Sequence, residues 1–196
     1  AMNYFGEYTK HFNDLMEVRI HVKHGEYDKA KELFGGKLSK YLDDPAQAKA
    51  LAQALKIAIN SVYGLTSATF DNPFRNPKNA NNIVALRGAL FMRTLQDEVQ
   101  QRGFTVAHIK TDSIKIPGAT PEIIDFCMKF AEKYGYTFEH EATYEKMCLV
   151  NNAVYIAKYM DATDCKAQYG YVPEDNEKEG GKWTATGTQF QIPYVF

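Results

Sequence analysis

Cysteine is scarce in this chain of 196 residues: only Cys127, Cys148 and Cys165, with no CxxC pair among them. An odd count without that spacing excludes a disulfide framework and a cysteine-built zinc site. It predicts reduced, mostly buried thiols in an intracellular protein. Excess charge of either sign is missing as well. Lys and Arg number 23 against 24 Asp and Glu, a net charge of −1, which excludes a simple polycationic binder of nucleic acid. Any such contact must come from locally placed charge. Long apolar runs are absent: Lys56 and Arg93 interrupt the longest, well short of a membrane span. The opening AMNYFG shows no basic segment leading into an apolar one, so a signal peptide is not expected. No internal repeat is visible, and the polar run at 173–181 is the one low-complexity hint.

What is present is an ordinary globular composition, 45% hydrophobic and 24% charged, unlike collagen-like or disordered chains. The length suits one domain, alone or with an attached subdomain. Residues 1–80 hold 11 Lys and Arg against 9 Asp and Glu, and residues 81–196 hold 12 against 15. The small positive excess therefore lies in the half that reads as helical.

Helical spacing of Phe12, Leu15, Met16 and Ile20 predicts an amphipathic helix over about 8–24, ended by Gly25. A short helix follows through Lys29, Leu33 and Phe34, stopped by Gly35 and Gly36. Asp43-Asp44-Pro45 is a helix start, a capping acid and then proline at the first helical position. The helix over 46–63 carries Leu51, Leu55, Ile59 and Val62 as its apolar stripe and closes at Gly64. The Asn- and Pro-rich stretch 65–79 reads as a loop. A third long helix runs from 79 or 80 to 101, with Ile83, Leu86, Leu90, Leu95 and Val99 inward. After Gly103 the period becomes that of strands, with 104–109 and 114–116 forming a hairpin about Thr111-Asp112-Ser113. Another helix opens at Thr120-Pro121-Glu122 and ends at Tyr134-Gly135, and strands follow at 137–143, 146–158 and 182–186. Helices first and a sheet-rich unit after them make this an α+β fold with a helical subdomain.

Two segments carry candidate chemistry. In ALKIAINSVYG, the spacing puts Lys56, Asn60 and Tyr63 on one helix face. An ammonium, an amide and an aromatic ring in a row suit the phosphate, sugar edge and base of a nucleotide, with lysine as the point charge on the phosphates. The same spacing also fits a solvated lysine and a half-buried tyrosine, and short motifs recur by chance. At the hairpin, Asp112 sits where two flanking strands fix a carboxylate for a divalent metal. Aspartate is equally a favoured turn residue through its own backbone hydrogen bonds.

Lys56-x-x-x-Asn60-Ser61-x-Tyr63-Gly64 followed some fifty residues later by Thr111-Asp112-Ser113 resembles the family B DNA polymerases. The first segment matches their fingers motif KxxxNSxYG in full, and the second is similar to their palm motif YxDTDS, retaining TDS. KMCLVNNAVY at 146–155 loosely resembles their KKRY element, with Tyr155 kept and Asn152 and Ala153 where lysines would stand. The opening NYFGEY and the closing GTQFQIPYVF are most similar to polymerases of bacteriophage or prophage origin. The resemblance covers essentially the whole chain in the right order. It implies a helical fingers subdomain followed by a palm with antiparallel sheet and packed helices: fingers helices and loop at 1–79, palm at 80–182, and the start of a truncated thumb connection at 183–196.

The resemblance also implies roles. Lys56 would grip the incoming dNTP, Asn60 would help place it, and Tyr63 would pack near the nascent base pair. Arg19 and Lys23, one turn apart, would bind phosphates from the opposing fingers helix. Asp112 would be the catalytic palm carboxylate and metal ligand, with two Mg²⁺ ions in the full enzyme. Lys110, Ser113, Lys146 and Tyr155 would contact the DNA primer, with Lys146 and Lys158 flanking a strand where the KKRY lysines are lost. Implied partners are a DNA primer–template, dNTP and the remainder of the polymerase chain, in the cytoplasm of a bacterial host, with no membrane.

Two departures stand out. Lys110 replaces the first Asp of DTD, and no DxxSLYP strand motif, source of the family's other metal-binding Asp, occurs in the chain. Two metals about 3.5–4 Å apart need more than one carboxylate. The expectation is therefore a fragment of a DNA polymerase that is inactive alone. The alternative is a polymerase-like module that binds nucleic acid or nucleotide and has lost catalysis. A generic α+β domain with a chance match is the third reading. Other candidates are bland: His21 and His24 as a surface pair, His140-Glu141 on a strand and so no zinc-protease motif, Ser61 and Ser67 without His or Asp partners, and Tyr and Phe as core and sheet surface.

Overall fold

The computed structural model describes residues 8–186. The predicted family-like ends, 3–7 and 187–196, lie outside the described residues. The chain divides into two compact units, with the boundary between Leu86 and Arg87. Helices and antiparallel strands segregate along the chain, and the fold is α+β.

The first unit contains α1 (Tyr8–Lys23), α2 (Tyr27–Glu32), two 3₁₀ turns (Leu33–Gly36 and Ser39–Tyr41), α3 (Pro45–Thr66) and α4 (Pro77–Ala80). Its core is Val18, Val22, Ala30, Leu42, Ala48 and Leu55, with Leu15, Leu51 and Ile59 packed around them. The stripe of α1 is thus Leu15-Val18-Val22, and the expected Met16 and Ile20 are exposed. Both sets have helical spacing; the valines win because α3 and α2 pack against their side of α1.

Helix α3 begins as the sequence predicts, with Asp44 Oδ1 accepting from the Ala46 N–H at 3.2 Å and Pro45 opening the first turn. It does not close at Gly64 but runs on to Thr66. The last carbonyls are satisfied by the following segment, so no left-handed glycine is needed. Asn72 Nδ2 donates to Leu65 O at 3.0 Å and the Asn76 N–H to Thr66 O at 2.9 Å. The segment expected to be all loop also holds α4, started by Asn76 Oδ1 accepting from the Lys78 N–H, with Pro77 next. That repeats the Asp44-Pro45 signal with asparagine. Because α4 takes residues up to Ala80, the third long helix, α5 (Ile83–Gln101), starts later than 79 or 80, after Asn82 turns through φ 60°.

The second unit takes the C-terminal part of α5, β1 (His108–Lys110), β2 (Ser113–Lys115), α6 (Pro121–Lys133), β3 (Tyr144–Asn151), β4 (Val154–Tyr159), α7 (Ala162–Tyr169), α8 (Glu174–Glu179) and β5 (Trp183–Ala185). Phe91, Met92, Leu95 and Val99 of α5 and Ile123, Cys127, Phe130 and Ala131 of α6 form its core, covered by Ile109 and Ile114 of the β1–β2 hairpin. Ile83, Leu86 and Leu90, expected inward, are exposed, Leu90 by 68%. The buried set starts one residue further on, at Phe91. Leu95 is fully buried in this core, so Leu95→Ala is expected to destabilise the second unit by about 2–5 kcal/mol. Urea unfolding followed by far-UV circular dichroism measures that loss.

Three strand expectations change. The 104–109 strand shrinks to His108–Lys110, because its partner ends before Pro117, which has no N–H to offer the ladder. Residues 137–143 form no strand. Their backbone pairs elsewhere: Asn176 bonds both the N–H and the C=O of Thr143, and Glu141 O accepts from the Asp175 N–H at 3.1 Å. The 146–158 stretch is a hairpin rather than one strand, turned at Asn152-Ala153, where Asn151 Oδ1 accepts from the Ala153 N–H at 2.8 Å. The sheet order is β3-β4-β5, all antiparallel, and the strand expected at 182–186 is its edge strand, Trp183–Ala185.

Helices α7 and α8 are absent from the sequence reading. Helix α8 has a legible start, Pro173 followed by Glu174, Asp175 and Glu177 in the first turn, where the helix dipole favours acids; polarity masked it as low complexity. Among the described residues no helix is long and apolar enough to cross a membrane. Cys127 and Cys165 are buried and Cys148 is exposed, all free; burial pushes the Cys127 thiol up to about 11.

Candidate functional site

In the first unit the candidate groups sit on α1 and α3. At about 100° per residue, Tyr63, Lys56 and Asn60 fall within an arc of roughly 60°, bordering the Leu55–Ile59 stripe that faces the core. All three are exposed, Tyr63 by 47%. Ser61 lies further round, its hydroxyl donating to Ile57 O at 2.8 Å within the helix. Gly64 follows on the open side, where a Cβ would meet no atom within 4 Å. A glycine inside a helix costs about 1 kcal/mol relative to alanine, and no neighbour among the described residues requires it. Arg19 and Lys23 border the buried Val18–Val22 stripe of α1 in the same way, Arg19 half-buried and Lys23 exposed. Both helices supply the same core, so all five groups belong to one packed helix pair.

His21 is half-buried on α1. Its Nδ1 lies 2.6 Å from Glu26 Oε2, and Lys29 Nζ donates to Glu26 Oε1 at 2.5 Å. Lys29 first and His21 second pull the exposed Glu26 carboxyl down to about 2.

In the second unit the β1–β2 register pairs His108 with Lys115, Ile109 with Ile114 and Lys110 with Ser113. The turn is therefore the two residues Thr111-Asp112, and Ser113 already belongs to β2. Partners across an antiparallel pair share a face. Ile109 and Ile114 face the helical core, while His108, Lys110, Ser113 and Lys115 share the other face. Asp112 is exposed at the tip.

The polar face is organised against the β3–β4 hairpin. Lys115 Nζ donates to Ser113 Oγ at 2.7 Å and lies 5.5 Å from the centre of the Tyr155 ring. Burial lowers the Lys115 pKa, Lys110 adds to that, and Asp112 and Glu141 oppose it. Among the described residues no carboxylate is within ion-pair distance of this ammonium. His108 is 8% exposed; its Nε2 donates to Asn152 O at 3.0 Å, and Nδ1 is buried with no partner among the described residues. The Tyr155 and Tyr144 hydroxyls are 3.3 Å apart, and burial pushes the Tyr144 hydroxyl up.

The structure therefore brings Lys110, Ser113 and Tyr155 together and adds His108, Lys115 and Tyr144, which the sequence reading missed. The signal was present: period-two alternation in HIKTDSIK, with a two-residue turn, places His108, Lys110, Ser113 and Lys115 on one face. Lys146 is not part of this group. It pairs with Lys158 across the β3–β4 ladder, on the face opposite Tyr155, and both ammoniums are held by Glu145, at 3.5 Å and 2.6 Å.

The donor set for a metal can be tested directly. Asp112 is an accessible carboxylate of the right chemistry, but among the described residues no three His, Cys, Asp or Glu converge. A Mg²⁺ ion held through one carboxylate and substrate phosphates is compatible with that set; a pair of ions is not. Compared with known proteins, the chain matches no protein-family model, no curated protein and no solved structure.

Proposed function

We propose that this chain is the fingers and palm part of a family B DNA polymerase of bacteriophage or prophage type. The reaction is nucleotidyl transfer from a dNTP to a primer 3′-end on a DNA template. It takes place in the bacterial cytoplasm, with the rest of the polymerase chain completing the site. Lys56, Asn60 and Tyr63 hold the nucleotide, Arg19 and Lys23 add phosphate contacts, and Asp112 supplies one carboxylate to Mg²⁺. One observation carries the reading: the full KxxxNSxYG pattern lies on the solvent side of a 22-residue helix, with Gly64 left open beside it. A ligand that approaches that backbone gives the glycine a reason the chain alone does not.

Lys56→Ala is expected to weaken dNTP binding by the 196-residue chain roughly tenfold, the scale of one lost charge-assisted phosphate contact. Binding is weak, so NMR shifts of α3 amides during dNTP titration are the suitable readout. Inorganic tripolyphosphate should lose as much, and the unphosphorylated nucleoside nothing. Equal dNTP affinity in the two proteins overturns the nucleotide assignment of this face.

The reading of a module that binds but has lost catalysis is favoured by Lys110, whose ammonium shares the hairpin with Asp112 and opposes a cation there. A polymerase chain that binds primer–template and dNTP with normal affinity, yet fails to extend, would select it.

A further inference from the structure

The β1–β2 face holds an ammonium whose surroundings are unusual for lysine. Lys115 is half-buried, tied to a hydroxyl and an aromatic ring, and paired with no carboxylate among the described residues. Lysine is normally buried only when paired. A second cation, Lys110, stands on the same face. Such a face is short of anionic oxygen. We propose that Lys115, steadied by Ser113 and the Tyr155 ring, seats one phosphodiester of a nucleic-acid strand, with Lys110 meeting a neighbouring phosphate. The assignment rests on the polymerase reading and adds to it a residue that no motif names.

A strand fits better than a free polyphosphate. Lys110 and Lys115 lie on opposite strands of the ribbon, two residues apart along it, roughly 6.6 Å by strand geometry. That is on the order of the step between successive phosphates of one strand, and longer than the step between neighbouring phosphorus atoms of a polyphosphate. The aromatic floor of Tyr155 and Tyr144 fixes where Lys115 can go and leaves its charge to be met from solvent.

The test is fluorescence anisotropy of a labelled DNA primer–template with the 196-residue chain over a range of salt, for wild type, Lys115→Gln and Lys115→Arg. Each lost phosphate contact removes about 0.9 from the slope of log affinity against log salt. Lys115→Gln is expected to lower the slope by about that amount and to weaken low-salt binding roughly tenfold, uniformly across sequences. Lys115→Arg is expected to keep the slope. Adding tripolyphosphate to the assay separates the two phosphate sources: competition relieved equally in wild type and Lys115→Gln places the polyphosphate elsewhere, as proposed. Competition lost only in Lys115→Gln makes Lys115 a nucleotide contact and overturns the strand assignment. A wild type that binds DNA while Lys115→Gln keeps its slope and affinity overturns this inference alone. A wild type that binds no DNA at low salt rejects the polymerase reading and this inference together. Thermal melting of Lys115→Gln and Lys115→Arg confirms that both variants are folded.

Discussion

Asp112→Asn is expected to reduce primer extension about a thousandfold or more in a polymerase chain that contains these two units. Asparagine keeps the size and turn chemistry of aspartate, so the Thr111-Asp112 hairpin should survive. It removes the negative charge that a hard cation requires, and losing a metal ligand costs several kcal/mol of transition-state stabilisation at about 1.4 kcal/mol per decade of rate. Because Asp112 is exposed, stability should not change, and melting curves can establish that independently. Single-turnover extension of a labelled primer with Mg²⁺ is the measurement, and wild-type turnover in the variant would remove Asp112 from the metal site. The 196-residue chain alone should not extend primers, since its described residues offer no group of three metal-binding side chains. Extension by the isolated chain would contradict the proposal outright.

The largest structural effect is expected at Asn176. Its side chain is fully buried and accepts from the Thr143 N–H at 2.8 Å while donating to Thr143 O at 2.9 Å and Met160 O at 2.8 Å. Alanine leaves all three backbone groups without this partner, at about 1 kcal/mol or more for each. Asn176→Ala should therefore cost on the order of 3–5 kcal/mol and lower the melting temperature by about 10 °C. The backbone is already crowded here: a Cβ on Gly180 would come within 2.8 Å of Asn176 O, so the turn after α8 has little room to shift and re-pair. Calorimetry reads the loss, and hydrogen exchange at the Thr143 amide localises it. A melting shift under about 2 °C would mean that water replaces the amide without penalty.

The two sites differ in how far they were readable. The proposed nucleotide face of α3 is a local property. Lys56, Asn60 and Tyr63 share a helix whose start is set by Asp44 and Pro45, and helical periodicity does the rest. The β1–β2 face proposed to meet DNA was readable only in part. Asp112 at a hairpin tip followed from TDS between apolar strands, but Lys115 and His108 gain their meaning from Tyr155 and Asn152, some forty residues away. Lys146 lies on the face opposite Tyr155, and the turn at Asn152-Ala153, hidden when 146–158 is read as one strand, is what sets which residues share a face with Tyr155.

By itself, the sequence determined the α+β order, the capped start of α3, the tight hairpin around Asp112 and the lack of disulfide or membrane signals. These depend on neighbours within a few residues: caps, turns and periodicity. Only the tertiary structure decided which of two apolar stripes on α1 is buried, that Gly64 lies inside a helix, and that 137–143 is held by Asn176 rather than by a strand. It also decided that a half-buried Lys115 shares its face with Lys110 and, among the described residues, with no paired carboxylate. Each of these is a choice among locally equivalent options, settled by which distant side chain completes the hydrogen bonds or covers the apolar surface.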